Sequence, residues 1–120
     1  MRRLLLLVFA TVIAAGALVA PEARADTAVT IQTSAYEPKD TVIKVGDALV
    51  WTNQDAAGHS VTADDNAFDS HPGCGGGGPC LENGEEFSHT FTTGGKYGYY
   101  CRLHGGPGGV GMAGTVTVLG

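Results

Sequence analysis

From Thr27 onward the apolar residues of this chain return at every second position, in short runs soon interrupted by Gly, Pro, Asn or Asp. Such alternation lays one side of an extended segment on a core and the other in water, and no helical period competes with it. The cleanest run is the last, Gly114–Leu119, reading GTVTVL. Before it come Thr27–Thr33, Thr41–Val45, Ala48–Asn53, the short stretch His59–Thr62, Glu86–Thr92 and Lys96–Cys101. Turn residues separate them at Tyr36-Glu37-Pro38, Gly46-Asp47, Asn53-Gln54-Asp55 and Gly94-Gly95. About seven or eight short strands with frequent turns predict an all-β sandwich. Parity within the runs predicts shared faces: Thr41, Ile43 and Val45; Leu49, Trp51 and Asn53; Phe87, His89 and Phe91; Tyr97, Tyr99 and Cys101, with Tyr100 opposite.

The start of the chain has a different character. Arg2-Arg3 precedes an apolar run from Leu4 to Ala20, and Ala23-Arg24-Ala25 gives a small-x-small pattern before Asp26. Residues 1–25 are therefore predicted to be a secretory signal peptide, and 26–120 one small domain with a modest core. The alternative is an uncleaved anchor, since the run approaches the ~20 residues of a membrane span, and the cleavage pattern disfavours it. Export to a periplasm or the cell exterior follows, with no stable membrane insertion after cleavage.

From Asp26 on, Lys39, Lys44, Lys96 and Arg102 face eleven carboxylates, a formal charge of −7 with His neutral. That surface disfavours nucleic acid and steers toward basic partners. A monomer is expected.

Three cysteines remain. Cys74 and Cys80 bracket a Gly-Pro run, and in an oxidising compartment they are expected to pair as a disulfide. The rival is a metal site from His71, Cys74 and Cys80, which lacks a fourth ligand. Cys101 is then the odd thiol, and an odd thiol in an exported chain calls for an explanation.

Its neighbours supply one. Cys101-Arg102-Leu103-His104 closes an aromatic strand, and a glycine-rich run leads from it to Met112. His59, after the permissive Gly58, can add a second imidazole. Two His, one Cys and a weak Met form the donor set of a type 1 copper electron-transfer centre. Thiolate and thioether suit Cu(I) while imidazole accepts Cu(II), so both oxidation states are tolerated. Taken singly, each residue has a blander reading, a buried Cys or a core Met. Together, His59, Cys101, His104 and Met112 predict one copper ion. By contrast, His89 between two phenylalanines reads as a hydrogen-bonded structural His, and His71 beside Pro72 as solvent-exposed. Asp64, Asp65 and Asp69 read as an exposed connection around Phe68.

The elements Tyr36-Glu37-Pro38, Val45-Gly46-Asp47, Val50-Trp51-Thr52-Asn53, His59-Ser60-Val61, Phe91, Tyr97-Gly98-Tyr99-Tyr100-Cys101, His104 and Met112-Ala113-Gly114-Thr115-Val116 resemble the cupredoxins. The resemblance is to the plastocyanin, amicyanin and pseudoazurin branch and covers nearly all of 26–120. It implies a Greek-key sandwich with type 1 copper near one end, working as an electron shuttle among redox partner proteins. It also implies His59, Cys101 and His104 as equatorial ligands and Met112 as the axial one. Three features depart from the family. Seven residues, Gly105–Gly111, separate His104 from Met112, more than small members have. Ser60 stands where relatives often carry Asn, a position that secures the ligand loop and lets a backbone N–H reach the Cys sulfur. The Cys74–Cys80 segment looks like an insertion.

Two other functions compete with electron transfer. A copper carrier or store would need rapid metal exchange, which a buried Cys and two His disfavour. A copper enzyme would need an open coordination position and further histidines, and the chain has four in all.

Overall fold

Strands form where the alternation predicts them, in a computed structural model that describes residues 24–120. In chain order they are β1 (Asp26–Gln32), β2 (Ala35–Glu37), β3 (Asp40–Lys44), β4 (Ala48–Asn53), β5 (Thr62–Ala63), β6 (Glu86–Thr90), β7 (Gly95–Gly106) and β8 (Val110–Leu119). One sheet has the order β2-β1-β4-β6 and the other β3-β8-β7-β5. The pairs β1–β4 and β3–β8 are parallel because the chain changes sheet between β2 and β3 and again between β3 and β4. All other pairs are antiparallel. The all-β sandwich expected from the sequence is the fold.

Residue parity sets the core between the two sheets. Leu49, Trp51 and Asn53 of β4 are fully buried, as are Tyr99 and Cys101 of β7. On β3, Thr41 and Ile43 face in while Val42 is 66% exposed, the inside-outside alternation of a sheet with one wet face. Val45, expected to share the face of Thr41 and Ile43, lies beyond the end of β3 and is exposed. Around Trp51 the rings of Phe68, Phe87 and Tyr99 lie at 5.8, 5.7 and 5.3 Å. A large aromatic so enclosed costs about 3–5 kcal/mol when cut to Ala. Tyr99 meets Tyr36 edge-on at 4.8 Å. Burial pushes the Tyr99 phenol up to about 12 and the Tyr36 phenol higher still. The Tyr36 hydroxyl donates to the Ser60 carbonyl at 2.6 Å, tying the middle of the core to the His59 stretch. Gly114 makes room for Tyr99, since a β-carbon there would stand 2.5 Å from its hydroxyl oxygen.

Several boundaries differ from expectation. Tyr36-Glu37 is not only a break but the short strand β2, paired with the end of β1. His59 and Ser60 are not in a strand; His59 makes an isolated bridge to Leu81, and β5 begins at Thr62. The run Gly105–Gly111, expected as loop, carries β7 and β8 onward as a hairpin, with Gly105 opposite Gly111 and Gly106 opposite Val110. The predicted signal peptide lies outside the described residues except for Arg24 and Ala25, whose carbonyl accepts the Ala48 N–H at 3.0 Å. Among the described residues no helix is long and apolar enough to cross a membrane.

His89 is half-buried, its ring 4.7 Å from Phe68 and 4.8 Å from Phe91. Aromatic packing thus replaces the hydrogen bond expected for it, and burial holds its pKa below the ordinary value. The folded state therefore binds fewer protons here than the unfolded chain. Its contribution to stability is full above about pH 6.5, the unfolded value, and is lost as pH falls below it. His89→Phe is expected to flatten the pH dependence of Tm between about pH 7 and 5 in the metal-free protein. Thermal melts of both proteins across that range check this; parallel slopes would place the acid sensitivity elsewhere.

Candidate metal centre

β7 and β8 pair residue for residue from Gly95–Val118 to Tyr100–Ala113, and again at Gly105–Gly111. Between these blocks the four residues Cys101–His104 stand opposite the single residue Met112. Surplus residues on one strand kink it and re-aim its side chains. Here the bulge brings Cys101 and His104 to one spot from a Cys-x2-His spacing that a regular strand would split between its two faces. The His59 stretch lies beside it, held by Leu81 and Tyr36.

Cys101 Sγ is 3.6 Å from His59 Nδ1 and 3.5 Å from His104 Nδ1. The three donor atoms all fall within 4.8 Å of one another. Metal bonds of about 2.3 Å to sulfur and about 2.0 Å to imidazole nitrogen, at tetrahedral angles, put S and N about 3.5 Å apart. The donors thus already have the spacing of a coordination shell. His59 and Cys101 are fully buried, whereas His104 is exposed. Met112 is buried in the same core cluster as Cys101.

A second ring of contacts fixes the donors. Asp55 Oδ2 lies 3.0 Å from His59 Nε2, so that nitrogen carries the proton and Nδ1 is left to face Cys101. The Ser34 N–H first, then His59, holds the Asp55 carboxyl down to about 2. Asn53 shapes the loop that presents it: its Oδ1 accepts the Asp55 N–H at 2.8 Å, and its Nδ2 donates to Ala57 and Leu81 carbonyls at 2.9 and 2.8 Å. On the sulfur side the Ser60 N–H points at Cys101 Sγ, 3.4 Å away. The Ser60 hydroxyl accepts the Arg102 N–H at 2.9 Å and meets Thr62 Oγ1 at 3.0 Å. Ser60 thereby makes both contacts that the cupredoxin resemblance implies for its position.

Other expectations resolve as follows. Cys74 and Cys80 form the disulfide, which removes their thiols from any site with His71. His71 is half-buried rather than solvent-exposed, its Nδ1 enclosed without a partner. Asp55 and Asp69, loop carboxylates by position, are structural: Asp69 accepts from Thr62 Oγ1 at 3.1 Å and from the Arg102 guanidinium. The Asn53-x-Asp55 spacing was the available signal, a turn in which Asn caps the backbone two residues on. Among the described residues His59, Cys101 and His104 are the only such cluster of His, Cys and carboxylate donors.

A sandwich with one soft His2Cys cluster beneath a strand bulge is the arrangement of a cupredoxin. Residues 23–119 match the plastocyanin/azurin family of copper-binding proteins, and the chain belongs to that family. It is 33% identical over 90 residues to the plastocyanin of Scenedesmus fuscus, covering 69% of this chain and 85% of that one. With amicyanin-alpha of Methylorubrum extorquens it shares 38% over 96 residues, covering 77% and 76%. The purple cupredoxin of Nitrosopumilus maritimus superposes with a TM-score of 0.62 at 30% identity, covering 78% of this chain and 99% of that one. The chain spans just over half the length of the chloroplastic plastocyanins it also matches. Copper is thus its metal, and the His59, Cys101 and His104 group is positioned for a single ion.

Proposed function

We propose that the chain is an exported single-electron shuttle in which His59, Cys101, His104 and Met112 would hold the copper. The observation that carries this reading is the spacing of the three donors, together with the burial of all but His104. When bound, copper supplies a one-electron couple between Cu(I) and Cu(II). The residues do the rest. Cys101 and His59 keep water out, the Ser60 N–H takes up part of the charge on the sulfur, and Asp55 fixes the His59 tautomer. Holding the donors at this spacing in both oxidation states limits reorganisation. Burial of two of the three donors also favours retention of metal over hand-off, against the carrier reading. Titration with Cu(II) tests the proposal: one equivalent should produce an intense visible band from thiolate-to-metal charge transfer. No band, or copper exchanging within seconds, would favour the carrier or store.

His104 is exposed, and so are its chain neighbour Leu103, at 46%, and Val110 of the adjoining hairpin, at 63%. An uncharged apolar rim lets a partner come close without stranding a buried charge. The charge of −7 beyond residue 25 favours a basic partner at long range, with an effect that salt weakens. Val110→Glu is expected to slow electron exchange with a basic redox partner about tenfold at high salt as well as low. Stopped-flow rates check this, and an unaffected variant would move the docking face elsewhere. The same rates in the unmodified protein should fall as salt rises.

A further inference from the structure

The segment between β5 and β6 belongs to neither sheet, yet it grips both stretches that carry the proposed ligands. On the His59 side, His59 and Leu81 exchange backbone hydrogen bonds at 3.0 and 2.8 Å. Ser70 pairs with Val61 through its N–H at 2.9 Å and its hydroxyl at 2.8 Å, and Asp69 bonds Thr62. On the Cys101 side, Asp69 takes the Arg102 guanidinium, and a β-carbon at Gly75 would lie 3.6 Å from both the Arg102 carbonyl and Leu103. Cys80 also abuts the approach to His59, since a β-carbon on Gly58 would stand 3.1 Å from Cys80 Cβ. The Cys74–Cys80 bond closes the ring between these grips.

Without this segment little would hold the two stretches together. The strand pairing between them is short, Thr62 with Tyr100 and Ala63 with Tyr99. Beyond it come the Asp64 N–H to the Gly98 carbonyl, 3.0 Å, and the Ser60 contacts to Cys101 and Arg102. We propose that Asp69–Leu81, locked by Cys74–Cys80, is an external clamp that holds the His59 stretch against Cys101–Leu103 before metal arrives. Leu81 is one jaw and Asp69 with Gly75 the other. Its consequence is a donor set already spaced in the metal-free protein and a slow escape of metal from it. The inference rests on the ligand assignment made above, but its first test needs no copper.

Amide hydrogen exchange on metal-free protein compares the unmodified chain with a Cys74→Ala/Cys80→Ala double variant and with Asp69→Asn, which keeps the disulfide. His59, Val61 and Leu81 report on the clamp; Ile43 and Val118, in the β3–β8 pair, report on the sandwich. The expected result is exchange at His59 and Leu81 faster by about tenfold or more in the double variant, with Ile43 and Val118 unchanged. For Asp69→Asn the largest acceleration is expected at Val61. In copper-loaded protein both variants should lose metal to a chelator about tenfold faster. Unchanged exchange at His59 and Leu81, or equal acceleration at all five amides, would overturn the clamp. An unmodified protein that took up no copper would overturn the ligand assignment instead, leaving the clamp to stand or fall on its amides.

Discussion

Cys101→Ser is expected to abolish the visible charge-transfer band completely while the sandwich remains folded. The band needs a thiolate donor, and a serine hydroxyl at the same place is neither soft nor ionised at neutral pH. Copper binding should weaken by orders of magnitude, because His59 and His104 alone leave the ion without its strongest ligand. The fold should survive because the side chains are nearly isosteric. The buried hydroxyl costs about 1–3 kcal/mol if unpartnered, and less here, where the Ser60 N–H points at the same atom. An absorption spectrum with copper added, beside a thermal melt without it, separates the two effects. A variant that kept the band would transfer the site to other residues.

Gly105→Ala is the second change with a large expected effect. A β-carbon at Gly105 would stand 2.5 Å from the Met112 carbonyl oxygen, 2.6 Å from that of Val110 and 2.8 Å from the Met112 nitrogen. All three are backbone atoms, so no side chain can swing aside and the two strands must part. Gly111, with φ of +64°, is crowded in the same way by the His104 carbonyl. Overpacking of this kind costs about 1–3 kcal/mol. The displaced atoms belong to Met112 and Val110, so the Met112 side of the site should open. Copper should remain bound, with a shifted reduction potential and an altered band. Gly106→Ala, the next residue of β7, where a β-carbon would meet only Val110 Cβ at an ordinary 3.9 Å, serves as the control. Voltammetry on both decides, and identical potentials would mean that Met112 does not sense the crowding.

What could be read in the sequence was what depends on local pattern. The parity that put Leu49, Trp51 and Asn53 on one face of β4 holds to the residue, because a strand has only two sides. His59, Cys101 and His104 were legible because few donor types suit copper and the chain offers few of them. Asp55 and Asp69 were not. A carboxylate in a loop looks the same whether it faces water or a histidine, and only the path of Asn53 and Ser34 decides. The hairpin from Gly105 to Gly111 was hidden for another reason: glycine has no side chain to alternate, so paired strands made of it read as coil.

That hairpin separates loop length from ligand geometry. Gly105 opposite Gly111 is the pair next to the site, and the hairpin beyond it runs through Gly106–Val110 to a tip whose Gly108 N–H donates to Asp64 at 3.0 Å. Residues added or removed there in facing pairs would lengthen or shorten the hairpin and leave the Cys101–His104 bulge where it is. A single inserted residue would instead slip the register and turn Val110 to the opposite face. The length of the hairpin beside His104 can therefore change in steps of two, at the cost of the Gly108–Asp64 tie and not of the ligand geometry.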